Sequence, residues 1–144
     1  AEQCGKDLLR PMVGRGASFA DIDSDGDLDV LVTAVGRRPR LLQNNQQLGH
    51  HWLRLKLAGT SSNRDAIGAR VEVKAGKNTW FRQVMPTRSY LSQSELPLTF
   101  GLGSNTKVDS VTVDWPDGSH QQLGPLPVDQ EHLIEQVPVV GPVR

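Results

Sequence analysis

The sequence predicts an all-β protein, an antiparallel β-sandwich preceded by a β-hairpin. Three observations favour this class. Apolar and polar residues alternate over several short runs, which is the pattern of half-buried strands. Glycine and proline, 14 and 9 of the 144 residues, place turn signals between these runs. No stretch repeats apolar residues with the period of about 3.6 residues that an amphipathic helix shows.

Length and charge limit the kind of protein this chain can be. A chain of 144 residues forms one domain, or one domain with a small appendage. Its 16 basic residues balance its 16 acidic residues, so the formal net charge is zero. This balance argues against a nucleic-acid-binding protein and gives no polybasic signal for anionic membranes. No apolar run approaches the roughly 18 residues of a membrane span, and we expect none.

The first predicted element is a hairpin over residues 16–35, after an irregular entry segment. The run Ala17–Ala20 leads into an acidic loop, and the apolar, β-branched run Val30–Val35 follows it. This order indicates a strand, a loop and a second strand. A turn at Gly36–Pro39 and a short strand at Arg40–Asn44 come next.

Aspartates occupy every second position of the acidic loop: Asp21, Asp23, Asp25, Asp27 and Asp29. Like charges this close repel one another unless a cation lies among them. The pattern D-x-D-x-D-G-x-x-D suits Ca²⁺. Carboxylates at loop positions 1, 3 and 5 would surround the ion, and Gly26 would allow a sharp turn. The backbone carbonyl of Asp27 and the carboxylate of Asp29 would complete the oxygen ligands.

The loop differs from a helix-loop-helix calcium site. That site needs a bidentate glutamate at its twelfth position, where this chain has Val32. The alternative to a metal site is an acidic, solvated surface turn. The position of Gly26 and the regular spacing favour the metal.

From His51 onward the alternation predicts a sandwich of about seven or eight strands. The predicted strands are 51–57, 68–74, 80–84, 98–102, 108–115, 121–123 and 132–135. Gly101 within its strand indicates a bulge or a close backbone approach. The tryptophans Trp52, Trp80 and Trp115 fall at strand positions typical of a core.

Two polar loops admit two interpretations. In the first, Tyr90 is a platform for a ligand or glycan, with Asn63, Arg64 and Gln93 as polar partners. In the second, which we favour, these side chains cap turns and Tyr90 anchors one end of the core. Cys4 is the one cysteine and cannot form an internal disulfide.

Catalytic motifs are lacking in the sequence. None of the four histidines lies in a metal-binding spacing such as H-E-x-x-H, and no G-x-S-x-G elbow or phosphate-binding glycine loop occurs. Carboxylates that bind calcium are poor general bases, because the cation holds them ionised. We therefore expect a protein that is not an enzyme.

Two resemblances follow from the motifs. The stretch from Arg15 to Val30, with its Asp-rich loop, resembles an FG-GAP/VCBS-type repeat, in which such a loop binds calcium between strands of a propeller blade. Residues from about 50 to 136 resemble the ASPIC/UnbV domain, which follows such repeats in cartilage acidic protein-like (CRTAC-like) extracellular proteins. The matching segments are His51–Leu53, Ser62–Ala69, Ser89–Ser94, Phe100–Gly103 and Val113–Gly118.

The resemblances imply a division of the chain into a partial repeat at residues 1–49, a sandwich at 50–136 and an extended, proline-containing tail at 137–144. A propeller needs about 4–8 blades, so further blades upstream, or strands from another chain, are the implied partners. The predicted function is a non-enzymatic, extracellular or periplasmic calcium-binding module for adhesion or assembly. The alternatives are a carbohydrate- or ligand-binding module and a scaffold subunit of a larger extracellular complex or fibre.

Overall fold

A computed structural model describes residues 5–7 and 9–138 of the chain. Their contacts divide into two compact units. The first comprises the described residues up to Gln46 together with Pro86–Glu95, and the second comprises Gln47–Met85 and the chain from Leu96 onward. The resemblance to the ASPIC/UnbV domain places residues 86–95 within the sandwich at 50–136. In the structure they belong with the N-terminal unit.

The N-terminal unit is a three-stranded antiparallel sheet in the order β1-β2-β3. Its strands are β1 (Gly14–Ala20), β2 (Asp29–Ala34) and β3 (Arg40–Leu42). Ala20 pairs with Asp29, so the acidic loop closes a hairpin of β1 and β2. The observed strands agree with the hairpin expected at residues 16–35. Short apolar β-formers flank turn residues, and this favours such a hairpin.

The second unit is a β-sandwich of two sheets. One sheet has the order β10-β4-β7, and the other has the order β6-β5-β8-β9. The strands are β4 (His51–Ala58), β5 (Arg70–Ala75), β6 (Asn78–Gln83), β7 (Leu98–Gly103), β8 (Ser110–Asp114), β9 (His120–Leu123) and β10 (Glu131–Glu135). The all-β prediction is confirmed.

The core of the sandwich is formed by the apolar positions of the alternating runs. Leu53 and Leu55 of β4, Val71 and Val73 of β5, and Phe100 of β7 are all at most 1% exposed. Every second residue of a strand points to the same side, so each of these runs buries one face in the core. On the other face of β7, Thr99 is buried as well. Trp115 is buried in this core and Trp80 packs against it, whereas Trp52 is half-buried.

Two features of the sandwich depart from regular antiparallel pairing. Strand β10 runs parallel to β4, with Glu131 opposite Arg54. Sequence alternation does not reveal this direction, because it reports only which face is buried. At the other edge of β4, Trp52 pairs with Gly101 and His51 pairs with Gly103. The extra residue in β7 is a bulge beside Gly101, as its glycine predicted.

The described residues include no helix long and apolar enough to cross a membrane. Cys4 and the tail after Pro138 lie outside the described residues, so the interpretations of Cys4 and of most of the segment 137–144 are not addressed by the structure.

Candidate metal centre

The acidic loop connects β1 to β2 through a tight turn. Gly26 has φ of 93° and Ser24 has φ of 62°. Glycine adopts this left-handed region at little cost, whereas a serine there is strained. Gly26 is also buried. The turn therefore requires a glycine at the position where the motif has it.

Three of the five aspartates converge in space. Asp21, Asp23 and Asp25 each offer one carboxylate oxygen, and these oxygens lie within 4.8 Å of one another. Within the described part of the chain, no basic side chain forms an ion pair with Asp23 or Asp25. The protein itself therefore leaves their mutual repulsion largely uncompensated. Three converging carboxylate oxygens, two of them from aspartates without a basic partner, fit a hard divalent cation such as Ca²⁺.

Hydrogen bonds within the loop hold this cluster in place. The carboxylate of Asp21 accepts hydrogen bonds from the backbone N–H of Asp25 and of Gly26, both at 3.2 Å. The Asp25 carboxylate accepts one from the N–H of Asp27 at 2.9 Å. These local bonds from aspartate to backbone are typical of turns. They fix the backbone while each carboxylate keeps lone pairs for a further ligand.

Asp27 and Asp29 lie outside this group of three. Asp29 is 1% exposed, and its two oxygens accept hydrogen bonds from the N–H of Ile22 at 3.2 Å and of Asn44 at 2.8 Å. A buried carboxylate needs such partners, because removing its charge from water is costly. The Asp27 carboxylate accepts a hydrogen bond from the Gln46 amide. The roles of Asp27 and Asp29 as calcium ligands stay predictions.

A segment distant in sequence supports the strand that leads into the loop. The backbone N–H groups of Ala17 and Phe19 donate to the hydroxyls of Ser89 and Ser94, at 3.1 and 3.2 Å. Glu95 accepts a hydrogen bond from the Asp21 N–H at 3.3 Å, and its own N–H donates to the Phe19 carbonyl.

The segment Pro86–Glu95 thus covers the outer edge of β1. The sequence did not predict this role of Glu95 and the serines. No local pattern links residues separated by more than 70 positions.

The loop around Tyr90 differs from the favoured interpretation. Tyr90 is 65% exposed, so its predicted role as an anchor of the core is wrong. It lies at the tip of a turn that is fastened to β1 by its serines, and such a tip points to solvent. Asn63 does cap a turn: its amide exchanges two hydrogen bonds with the backbone of Ile67.

The histidines of the sandwich pair with carboxylates at strand ends. His51 lies 2.7 Å from Asp129, and His120 lies 2.6 Å from Asp114. Burial raises the pKa of Asp129, but hydrogen bonds from His51 and from the Trp52 N–H, with the charge of His51, outweigh it and lower that pKa below its usual value. Both pairs are at least partly exposed to solvent, as is usual for polar residues at the ends of strands.

The second unit matches a known protein family. The family described as "ASPIC and UnbV" matches residues 59–139, more than half of the 144-residue chain. The matched range covers all of the sandwich strands except β4, and it includes the segment Pro86–Glu95.

Curated relatives extend the similarity toward the N-terminus. Cartilage acidic protein 1 of Homo sapiens is 31% identical over 109 residues, which cover 73% of this chain and 16% of the relative. The proteins of the same name from Mus musculus and Xenopus tropicalis are 31% and 30% identical over the same length. The chain thus spans less than a fifth of the length of these relatives.

Proposed function

Because this chain belongs to the ASPIC and UnbV family, we propose that it is an extracytoplasmic module for adhesion or protein assembly, without enzymatic activity, whose N-terminal hairpin binds structural Ca²⁺. The observation that carries the proposal is the convergence of the Asp21, Asp23 and Asp25 carboxylates. The similarity to cartilage acidic protein 1 supports a location outside the cytoplasm, extracellular or periplasmic.

In this proposal the ion would be held by those three carboxylates, with Asp27 and Asp29 completing the set as the motif predicts. Calcium supplies positive charge where the loop gathers negative charge. Binding would therefore favour the closed turn and stabilise the hairpin, because a ligand that binds only the folded state stabilises it. Extracellular calcium modules commonly bind at about 10⁻⁴–10⁻³ M, and such affinity is useful only where calcium is abundant.

The hairpin would belong to an FG-GAP/VCBS-type repeat and would pair with further chain. The outer edge of β1 is covered by Pro86–Glu95, and β3 forms the other edge of the sheet among the described residues. An exposed strand edge accepts another strand through backbone hydrogen bonds. We propose that β3 receives a strand from an upstream blade or from another chain, which suits a scaffold role in a larger extracellular complex or fibre.

Isothermal titration with CaCl₂ tests the metal site. We expect the protein to bind Ca²⁺ with a Kd of about 10⁻⁴–10⁻³ M and the double variant Asp23→Asn, Asp25→Asn to show no saturable binding at millimolar calcium. The variant Asp65→Asn changes an exposed aspartate of the sandwich and is the matched control. Absence of binding by the unmodified chain, or equal binding by the double variant, would contradict the proposal.

A further inference from the structure

One face of the four-stranded sheet β6-β5-β8-β9 is solvent-exposed and carries an aromatic ring among polar side chains. Phe81 of β6 is 71% exposed. It lies directly opposite Glu72 of β5, which lies opposite Thr112 of β8. The neighbouring residues Val71 and Val73 point the other way, into the core. Phe81 therefore lies on the face away from the core, and packing within the sandwich does not account for it.

A second row of polar side chains runs beside the first. Arg70 of β5 lies between Gln83 of β6 and Asp114 of β8. Arg70 forms no hydrogen bond or ion pair within the described residues, and neither does the Thr112 hydroxyl. Neighbouring strands lie about 4.8 Å apart, and side chains on one face of a strand repeat about every 6.8 Å. The six side chains of the two rows therefore form a small, regular grid. The six positions line an open cavity of about 440 Å³, within the range of small-ligand sites.

We propose that this face binds a neutral sugar ring of an oligosaccharide, with Phe81 as the stacking platform. A pyranose ring has an apolar C–H face, and the electron-rich face of an aromatic ring attracts such C–H groups. Its hydroxyls both donate and accept hydrogen bonds. The grid supplies a guanidinium and an amide as donors, carboxylates as acceptors, and a hydroxyl that does either.

The charges on this face favour a neutral sugar over an acidic one. Arg70 is the positive group without a partner, but the carboxylates of Glu72 and Asp114 occupy the adjacent grid positions. Glu72 is paired with Lys74 at 2.7 Å, and Asp114 is paired with His120. The Arg82 guanidinium also lines the cavity, but it is held over the Phe100 ring. An acidic sugar would therefore meet two carboxylates beside the guanidinium of Arg70. Neutral hydroxyls meet no such repulsion.

The same features argue against a protein partner on this face. The centre of a stable protein interface is rich in apolar and aromatic side chains and poor in charge. Among the described strand residues of this face, Phe81 is the one large exposed apolar side chain, and charged residues surround it. One ring-sized apolar surface within a rigid polar grid fits a sugar better than it fits a packed interface.

The inference goes beyond the proposed function and does not depend on calcium, because all of its residues lie in the sandwich unit. An array of neutral, amino and acidic oligosaccharides, probed with the full chain, supplies the test. We expect binding to neutral oligosaccharides, confirmed by titration with the strongest one. Phe81→Ala should weaken binding at least tenfold, Phe81→Trp should keep it within about threefold, and Arg70→Met should weaken it as well.

Leu133→Ala is the matched control, since Leu133 is a large apolar side chain that is also mostly exposed but lies on β10, in the other sheet of the sandwich. This variant should bind as the unmodified chain does. Unchanged melting of each variant would show that its fold is intact, as expected for exposed side chains. No binding on the array, binding to acidic oligosaccharides alone, or full binding by Phe81→Ala would overturn the proposal.

Discussion

Gln136 is a buried amide that closes one end of the sandwich, and its replacement should be strongly destabilising. Its side-chain oxygen accepts hydrogen bonds from three successive backbone N–H groups, those of Thr60 and Ser61 at 3.1 Å and of Ser62 at 2.8 Å. Its amide nitrogen donates to the Asp117 carboxylate at 2.7 Å and to the Ser119 hydroxyl at 3.1 Å. Gln136 itself is 2% exposed.

The expected loss of stability in Gln136→Ala depends on which polar groups lose their hydrogen-bond partner. An unsatisfied buried group costs about 1–3 kcal/mol, and water reduces this where it can enter. Thr60 and Ser61 are exposed, so water can reach them, whereas Ser62 is half-buried. We therefore expect Gln136→Ala to lower the free energy of unfolding by about 2–4 kcal/mol.

Urea unfolding followed by tryptophan fluorescence is the assay. All three tryptophans lie in the sandwich unit, so the signal reports that unit. The control is Gln122→Ala, an exposed glutamine of β9, which should change stability by less than about 0.5 kcal/mol. A loss below about 1 kcal/mol for Gln136→Ala would refute the reasoning.

The variant Gln136→Glu distinguishes the contribution of the amide oxygen from that of the amide nitrogen. It keeps an oxygen for the three N–H groups but removes both amide donors and places a second carboxylate against Asp117. We expect destabilisation at neutral pH that lessens as the pH falls, because protonation of either carboxylate removes the repulsion. Destabilisation that does not depend on pH would show that repulsion is not its cause.

Two further predictions concern the stability of the protein in acid and the packing of the loop that contains Tyr90. Hydrogen bonds from Ser119, chiefly, and Gln136 lower the pKa of Asp117. The ionised Asp117 carboxylate therefore stabilises the fold at pH values above its ordinary pKa of 3.8, and this stabilisation is lost as the pH falls below that value. Asp117→Asn should flatten the pH dependence of the urea midpoint in that range. Gly16→Ala should speed amide exchange in Pro86–Glu95, because a Cβ would lie 2.1 Å from the Ser92 hydroxyl oxygen and 2.7 Å from a backbone oxygen. In the control variant Gly14→Ala the added Cβ would have no neighbouring atom nearer than 3.9 Å, so exchange in this segment should not change. Equal exchange in both variants would contradict this packing.

Local patterns were sufficient to predict the sandwich and the acidic loop. Alternation identified the strands because one face of each is buried, and the glycine of the loop identified the turn. These signals lie within a few residues of one another.

Features that depend on distant residues could not be predicted in this way. Glu95 and Ser94 contact β1 across more than 70 positions, and Gln136 reaches Thr60 across 76. The exposure of Tyr90 could not be predicted for the same reason. Its loop is fastened to the hairpin unit, and the sequence gives no sign of that attachment. Phe81 was overlooked because an apolar residue in a strand is expected to face the core.

Hydrogen exchange of residues 16–35 in millimolar Ca²⁺ and in EGTA tests the central claim most directly, because tryptophan fluorescence does not report the hairpin unit. If calcium fastens the hairpin, its amides exchange more slowly in Ca²⁺ than in EGTA. The difference disappears in the double variant Asp23→Asn, Asp25→Asn, while the strands of the sandwich exchange equally in both conditions. Exchange of the hairpin that is unaffected by calcium would contradict the account.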